Sequence, residues 1–230
     1  MNITILDLYV GESDAAERIV AALGRVRAKI IRMAHPDASL EDIARTKPQG
    51  IIISGSNTGR MVVSDPDNRE VKRHRGYRIT RRAVSDAIEK GIPLFGICGG
   101  YQLLAQHFGY SIGELEEPEV GWREVRLTKF GKIHPLFQGI PETFQFYQHH
   151  KRHVKGIRDD SVLARDGAGA PQAVVFQSQV YGVQFHPEYA LEDRTSRSLV
   201  LDNFVFYATH RRRPSLGARA NTLNFCVFPL

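Results

Sequence analysis

The run "GIIISGS" at residues 50–56 constrains the fold more than any other part of the chain. Three consecutive isoleucines in an extended segment put apolar side chains on both sides, because successive side chains of a strand point to opposite faces. Such a strand is buried on both faces, as in parallel sheets covered by helices. "ITILDLYV" (3–10) and "IPLFGI" (92–97) repeat the pattern, and "AKIIRM" (28–33) adds another strand. Helix-like segments lie between them. Ser13 is read as the N-cap of a helix with apolar positions Ala16, Ile19, Val20 and Leu23, stopping at Gly24. "LEDIAR" (40–45) is a short helix, a longer one runs from about Ile79 to Lys90 with Gly91 as its stop, and "GYQLLAQHF" (100–108) ends at Gly109. This alternation predicts an α/β fold with a mostly parallel central sheet and helices on both faces.

The later half changes character. "WREVRLT", "FQFYQHH", "SVLARD", "QAVVFQ" and "VYGVQFH" are short strand-like runs broken by Gly and Pro, which predicts an antiparallel extension of the sheet. A closing helix is expected from Thr195 to Thr209, with Leu199, Val200, Phe204 and Tyr207 on its apolar face. No internal repeat or low-complexity linker interrupts the chain, so residues 1–210 are expected to form one domain. Residues 211–230, "RRRPSLGARANTLNFCVFPL", have no clear periodicity and read as a C-terminal tail.

Composition excludes several classes. No apolar stretch approaches about 18 residues, and "MNITILDLYV" has no basic region before its apolar run, so a cytoplasmic protein without a membrane partner is expected. Cys98 and Cys226 are the only cysteines and form no C-x-x-C pair, which supports neither a disulfide framework nor a cysteine zinc site. The histidines show no ligand spacing: His149 and His150 are adjacent and would face opposite ways on a strand, and His74 and His153 sit among basic residues. No metal and no cofactor are expected. The net charge is +6, and Arg60 to Arg82 carries eight Arg/Lys against three acids, nearly the whole excess. That segment reads either as a solvated face or as a docking patch for a partner or anion. It has neither interleaved aromatics nor a recognisable reader motif, so no nucleic-acid partner is expected.

Cys98 stands in Gly96-Ile97-Cys98-Gly99-Gly100, a G-x-C-x-G sequence directly after an apolar strand and before a helix. This is the cysteine counterpart of the nucleophile elbow, a tight turn that lifts the side chain off the strand end and needs neighbours without side chains. The N-terminus of the following helix favours thiolate, and the Gly99 N–H is placed to stabilise an oxyanion. A buried structural cysteine at a glycine-rich turn would have the same local sequence. What separates the two readings lies 88 residues downstream, where "YGVQFHPEY" ends an apolar run with His186, turns at Pro187 and supplies Glu188. A thiol nucleophile needs a base, and the base an orienting acceptor; Cys98, His186 and Glu188 fill those roles.

"PLFGICGGYQLLA" together with "YGVQFHPEY" resembles the class I, triad-type glutamine amidotransferases over roughly residues 2–208. The resemblance implies the flavodoxin-like amidotransferase fold and a glutaminase site. Cys98 would attack the side-chain amide of L-glutamine to form a γ-glutamyl thioester and release ammonia, and water activated by His186 would release glutamate while Glu188 holds the imidazole. It also implies a second oxyanion donor in "IIISGS", at Gly55 with Ser56 adjacent, and a substrate contact at Gln102, which fits C-x-G-x-Q. "EVGWREV" resembles the segment lining the α-amino and α-carboxylate end of glutamine, pointing to Gly121 and Trp122. "FQFYQHHKRHV" resembles the segment ending in a histidine near the site, pointing to Gln148 and His149.

Departures narrow the resemblance. The HPE loop and "HPLFQGIPETF" are similar to the guanylate-synthase branch, where a histidine-glycine-aspartate follows; here the chain reads His149-His150-Lys151-Arg152, so a coupling role for that acid is not carried over. "CGGYQ" is similar to the cobyric-acid and cell-wall amidotransferases, which typically lack the carboxylate found here as Glu188. There is no P-loop and no synthetase domain in the 230 residues. The expectation is therefore a stand-alone amidotransferase domain that feeds ammonia to a separate synthetase subunit, with Arg60 to Arg82 as a docking surface. The alternative is a γ-glutamyl hydrolase or peptidase that uses the same thioester chemistry without a partner, its substrate choice set by the segment from Asn57 to Tyr77. A non-catalytic relative would have lost a triad member.

Overall fold

The computed structural model of the protein describes residues 2–57, 75–189 and 198–210. The segments numbered 58–74, 190–197 and 211–230 lie outside it, and with them most of the basic stretch, part of the expected site-covering segment, the start of the closing helix, the tail and Cys226. One nine-stranded sheet organises the molecule. Its strands are β1 (Asn2–Asp7), β2 (Arg27–Arg32), β3 (Gly50–Ile53), β4 (Leu94–Ile97), β5 (Ser111–Leu127), β6 (Thr143–Lys155), β7 (Val162–Asp166), β8 (Pro171–Gln177) and β9 (Val180–Val183). They lie in the order β2-β1-β3-β4-β9-β8-β7-β5-β6. The first five in that order are parallel, and β9 to β6 continue antiparallel, as the sequence leads one to expect.

Helices cover both faces. Ile3, Ile5, Ile52, Phe95 and Ile97 point to one side, where they meet Ala16, Ile19 and Leu23 of α1 (Ala15–Ala22) and its cap, and Val200, Leu201 and Phe204 of α6 (Ser198–His210). Leu6, Ile51, Ile53 and Leu94 point to the other. There they meet Ile43 of α2 (Leu40–Arg45), Ala83, Val84 and Ala87 of α3 (Arg75–Glu89), and Leu103 and Leu104 of α4 (Gly99–His107). The isoleucine triplet thus serves two cores at once, Ile52 in one and Ile51 and Ile53 in the other. A short α5 (Lys129–Ile133) connects β5 to β6. Among the described residues no helix is long and apolar enough to cross a membrane.

Local signals act largely as read. Ser39 caps α2 by accepting from the Asp42 N–H at 3.2 Å. α3 and α4 end on left-handed glycines, Gly91 (φ 63°) and Gly109 (φ 85°), and the next residues, Ile92 and Tyr110, bond back to Ala87 and Ala105. Three expectations are corrected. α1 starts at Ala15 with Asp14 rather than Ser13 in the cap position, and the Asp14 carboxylate pairs with Arg18 at 2.8 Å; the capping chemistry still comes from Ser13, whose hydroxyl accepts from the Ala15 N–H at 3.2 Å. α3 is already helical at Arg75, one turn before Ile79, and Gly76 and Tyr77 of that turn are buried with Thr80. Finally, "SIGELEEPEV", which has no strand-like alternation, forms the first part of β5. Its pairing with β6 restores register across an irregularity between Glu114 and Glu119, where Pro118 falls, and Arg152 reaches Glu114 at 3.1 Å.

Phe95 lies at the centre of one core, fully buried with its ring 5.2 Å from Phe204. Phe95→Ala should cost about 3–5 kcal/mol in urea unfolding through the cavity it leaves.

Candidate active site

Cys98 leaves the end of β4 in a conformation that few L-residues adopt, φ 48° and ψ −101°, before α4 begins at Gly99. A non-glycine residue there stores about 1–3 kcal/mol of strain, which the surroundings must impose. They do so by close packing. A Cβ on Gly96 would stand 2.6 Å from the Gly100 carbonyl, and one on Gly100 would run into the backbone of Ile53 on β3. The flanking glycines therefore serve close approach, while the unusual backbone falls on the cysteine itself. The Cys98 N–H donates to the Val183 carbonyl at 2.8 Å and the Gly100 N–H to Ser54 at 3.0 Å, whereas the Gly99 N–H has no backbone acceptor among the described residues.

β9 delivers the histidine. Its last residue, Val183, is level with Ile97, and three residues further on the His186 N–H donates to the Tyr147 carbonyl of β6 at 2.9 Å. His186 and Glu188 are almost fully buried, at 2 % and 4 % exposure, and Nδ1 of the imidazole lies 2.7 Å from Oε1 of the carboxylate. Burial alone would push the His186 pKa down. The charge of Glu188 and then that of Cys98, reinforced by hydrogen bonding, overcome it and hold the imidazole well above its usual range. The imidazole is thus held by a carboxylate on its Nδ1 side and feels the charge of Cys98 as well.

The other expected positions gather around this centre in different ways. The His149 carbonyl lies 3.8 Å from Cys98 Sγ, while its side chain is exposed on the outer face of β6 beside Tyr147. Gln148 and His150 point to the opposite, buried face, and Gln148 Nε2 donates to Gln172 Oε1 at 3.0 Å. Gln102 is buried on α4 and its Nε2 donates to the Arg152 carbonyl at 2.9 Å and to Gln184 Oε1 at 3.2 Å. Gly121 and Trp122 of β5 lie opposite Gln148 and Tyr147, with the Trp122 ring edge-on to Tyr147 at 5.6 Å. Gly55 follows β3, so close to His186 that an added Cβ would be 3.1 Å from the imidazole Cε1.

Sequence reasoning missed Gln184, whose Nε2 lies 3.7 Å from Cys98 Sγ, and Tyr9, whose hydroxyl a Gly55 Cβ would meet at 2.8 Å. Burial first, and then the charges of Cys98 and Glu188, raise the Tyr9 pKa, so it stays a neutral phenol. The available signal was polarity out of place: Gln184 interrupts "VYGVQFH", and Tyr9 follows the lone Asp7 at the end of the first strand.

The sequence pattern described as "Glutamine amidotransferase class-I" matches residues 4–207. The chain belongs to the class-I glutamine amidotransferases. One subunit of the glutamine-hydrolysing GMP synthase of Thermococcus kodakarensis is 34% identical to it over 172 residues, covering 72% of this chain and 78% of that one. Its counterpart in Pyrococcus abyssi is 32% identical over 171 residues, with the same coverage. The match to the glutamine-hydrolysing GMP synthase of Thermomicrobium roseum, 32% identical, takes in 74% of this amidotransferase but only 28% of the relative. A glutamine amidotransferase structure from Thermotoga maritima superposes with a TM-score of 0.70 at 14% identity, covering 91% of this chain and 98% of that one. One from Methylobacillus flagellatus gives 0.61 at 19% identity, covering 82% and 70%. These structures share the flavodoxin-like fold, here with the parallel strands in the order 2-1-3-4-9.

Two buried histidines of this amidotransferase should make opposite contributions to stability against pH. Burial lowers the His150 pKa to about 4, so folding excludes its proton; the stability it contributes is complete above the unfolded value near 6.5 and is lost as pH falls toward 4, on the order of 3 kcal/mol. His186 binds its proton more tightly when folded, so its contribution is complete below about 6.5 and is lost as pH rises through the raised value, with a slope of up to about 1.4 kcal/mol per pH unit. Urea unfolding from pH 4 to 9 should show His150→Asn flattening only the acid limb and Glu188→Gln only the alkaline one.

Proposed function

We propose that this class-I amidotransferase hydrolyses the side-chain amide of L-glutamine through a cysteinyl thioester on Cys98 and passes the ammonia to a separate acceptor synthetase. The observation that carries the reading is the buried His186–Glu188 pair at the same sheet edge as a strained cysteine. In this reading the Cys98 thiolate attacks the γ-carbonyl carbon. The negative oxygen that develops is met by the N–H groups of Gly55 and Gly99, with the N-terminal end of α4 adding its dipole. As the C–N bond breaks, the His186 imidazolium gives its proton to the departing nitrogen, which leaves as ammonia. The neutral imidazole then takes a proton from water, the hydroxide attacks the thioester, and glutamate leaves as the thiolate re-forms. Glu188 holds Nδ1 throughout, which keeps Nε2 free for these transfers.

Substrate recognition is proposed at Gln102, Gly121, Trp122, Gln148 and His149. For His149 the backbone is the better candidate, since its side chain is exposed while its carbonyl is near Sγ; for Gln148, Nε2 is committed to Gln172, which leaves Oε1 and the backbone. The acceptor is proposed as a synthetase of the GMP-synthase kind because the Thermococcus kodakarensis and Pyrococcus abyssi relatives are subunits of that enzyme. The exposed arginines at the start of α3, Arg75 and Arg78, belong to the basic stretch proposed as the docking surface.

Purified protein should release glutamate from glutamine, with Cys98→Ala abolishing release and Glu188→Gln lowering kcat by about 10²–10⁴-fold. A chain that never releases glutamate, alone or with a GMP-synthase-type synthetase subunit, would end this reading. Faster turnover of γ-glutamyl conjugates than of glutamine by the isolated chain would replace it with a γ-glutamyl hydrolase.

A further inference from the structure

The turn that carries the Gly55 N–H lies between two serines, and the first of them, Ser54, holds its peptide planes. Its side chain is fully buried (0 %) at the end of β3, and its hydroxyl joins two backbone groups and a carboxylate. Oγ accepts from the Leu8 N–H at 2.9 Å, and its own proton is shared between Asp7 Oδ1 at 3.2 Å and the Gly55 carbonyl at 2.9 Å. Asp7 is itself buried and accepts from the Tyr9 N–H at 3.1 Å, which seats the Tyr9 hydroxyl over Gly55. The Ser54 carbonyl takes the Gly100 N–H at 3.0 Å, on the first turn of α4. One residue thus ties the end of β1, the turn after β3 and the turn that carries Gly99.

We propose that Ser54, held by Asp7, is a positioning residue for the oxyanion pocket. It touches no substrate; its hydroxyl holds the Gly55 carbonyl and so sets the Gly55–Ser56 peptide, while its own carbonyl, in the same peptide plane as the Gly55 N–H, is tied to the Gly100 N–H and sets that donor's distance from the Gly99 N–H. Without the hydroxyl, the far side of Gly55 is released at its carbonyl, the Leu8 N–H loses its acceptor and Asp7 loses a donor, so the Gly55 N–H is held from one side only, while Cys98, His186 and Glu188 keep their own contacts. The inference rests on the reading of Cys98 as an acyl-accepting nucleophile.

Two probes of Cys98 separate this role from a general structural one. With 4-nitrophenyl acetate the thiolate forms a C–S bond at the carbonyl carbon, negative charge builds on the carbonyl oxygen, and nitrophenolate leaves; with iodoacetamide the thiolate displaces iodide at a saturated carbon and no oxyanion forms. Both rates are followed in the full chain by mass spectrometry of the Cys98 peptide. Ser54→Ala should slow acetylation about tenfold or more and leave alkylation within about twofold, since a misplaced donor is lost only where an oxyanion develops. Equal rates in variant and wild type, or a parallel loss with both probes, would overturn the proposal. If Ser54→Ala does not fold, Asp7→Asn is read by the same ratio, and an unchanged ratio overturns the proposal as well. Wild-type protein that reacts with neither probe would instead remove the reading of Cys98 as nucleophile, and one that reacts with iodoacetamide alone would remove the oxyanion pocket and this proposal with it.

Discussion

The parallel pairing of β4 with β9 is the constraint on which the site depends. Leu94, Phe95, Gly96 and Ile97 are level with Val180, Tyr181, Gly182 and Val183, so two strands separated by more than eighty residues of chain run out at the same sheet edge. An antiparallel β9 would put His186 at the far end of the sheet from Cys98. Parallel pairing also explains the connection length: the chain must return to the starting edge of the sheet, and it does so through the antiparallel extension, whose β6 then meets His186 through Tyr147. β3, on the other side of β4, brings Gly55 to the same edge.

At that edge the electrostatics turn on geometry at short range. His186 and His150 are both buried, and burial pushes both toward the neutral form. His186 escapes because Glu188 is buried with it at 2.7 Å in a well-formed hydrogen bond and Cys98 adds its charge. His150 does not: Glu119 Oε2 stands 3.0 Å from its Nε2 without hydrogen-bond geometry, and is half-buried with its own pKa raised. A distance alone does not make an ion pair where nothing offsets the desolvation.

Much of this was readable from the residues. Isoleucine and leucine runs bounded by glycine gave the two-sided strands, because only a sheet covered on both faces accepts them. The glycine stops gave the helix ends, and the elbow with the distant His-Pro-Glu gave the residues proposed as the reacting centre. Other features depended on partners that no local pattern names. Ser13 accepts from the Ala15 N–H as a cap would, but Asp14 holds the cap position and its carboxylate goes to Arg18; "SIGELEEPEV" lacks alternation, and becomes strand because β6 supplies its hydrogen bonds and Arg152 a charge for Glu114. Asp7, Ser54, Tyr9 and Gln184 show in sequence only as polar residues in or beside apolar strands, and their roles do not show there, since each matters through a neighbour 40 or more positions away.

The sequence by itself determined the kind of sheet, the helices that cover it and the identity of the groups proposed to react, because periodicity, glycine placement and side-chain chemistry are local properties of the chain. Only the tertiary structure decided which backbone strain Cys98 bears, why Gly96 and Gly100 have no room for a Cβ, and how Ser54 joins three loops into one pocket wall. Those depend on distances of a few ångströms between segments far apart in the chain, set by how nine strands register in one sheet.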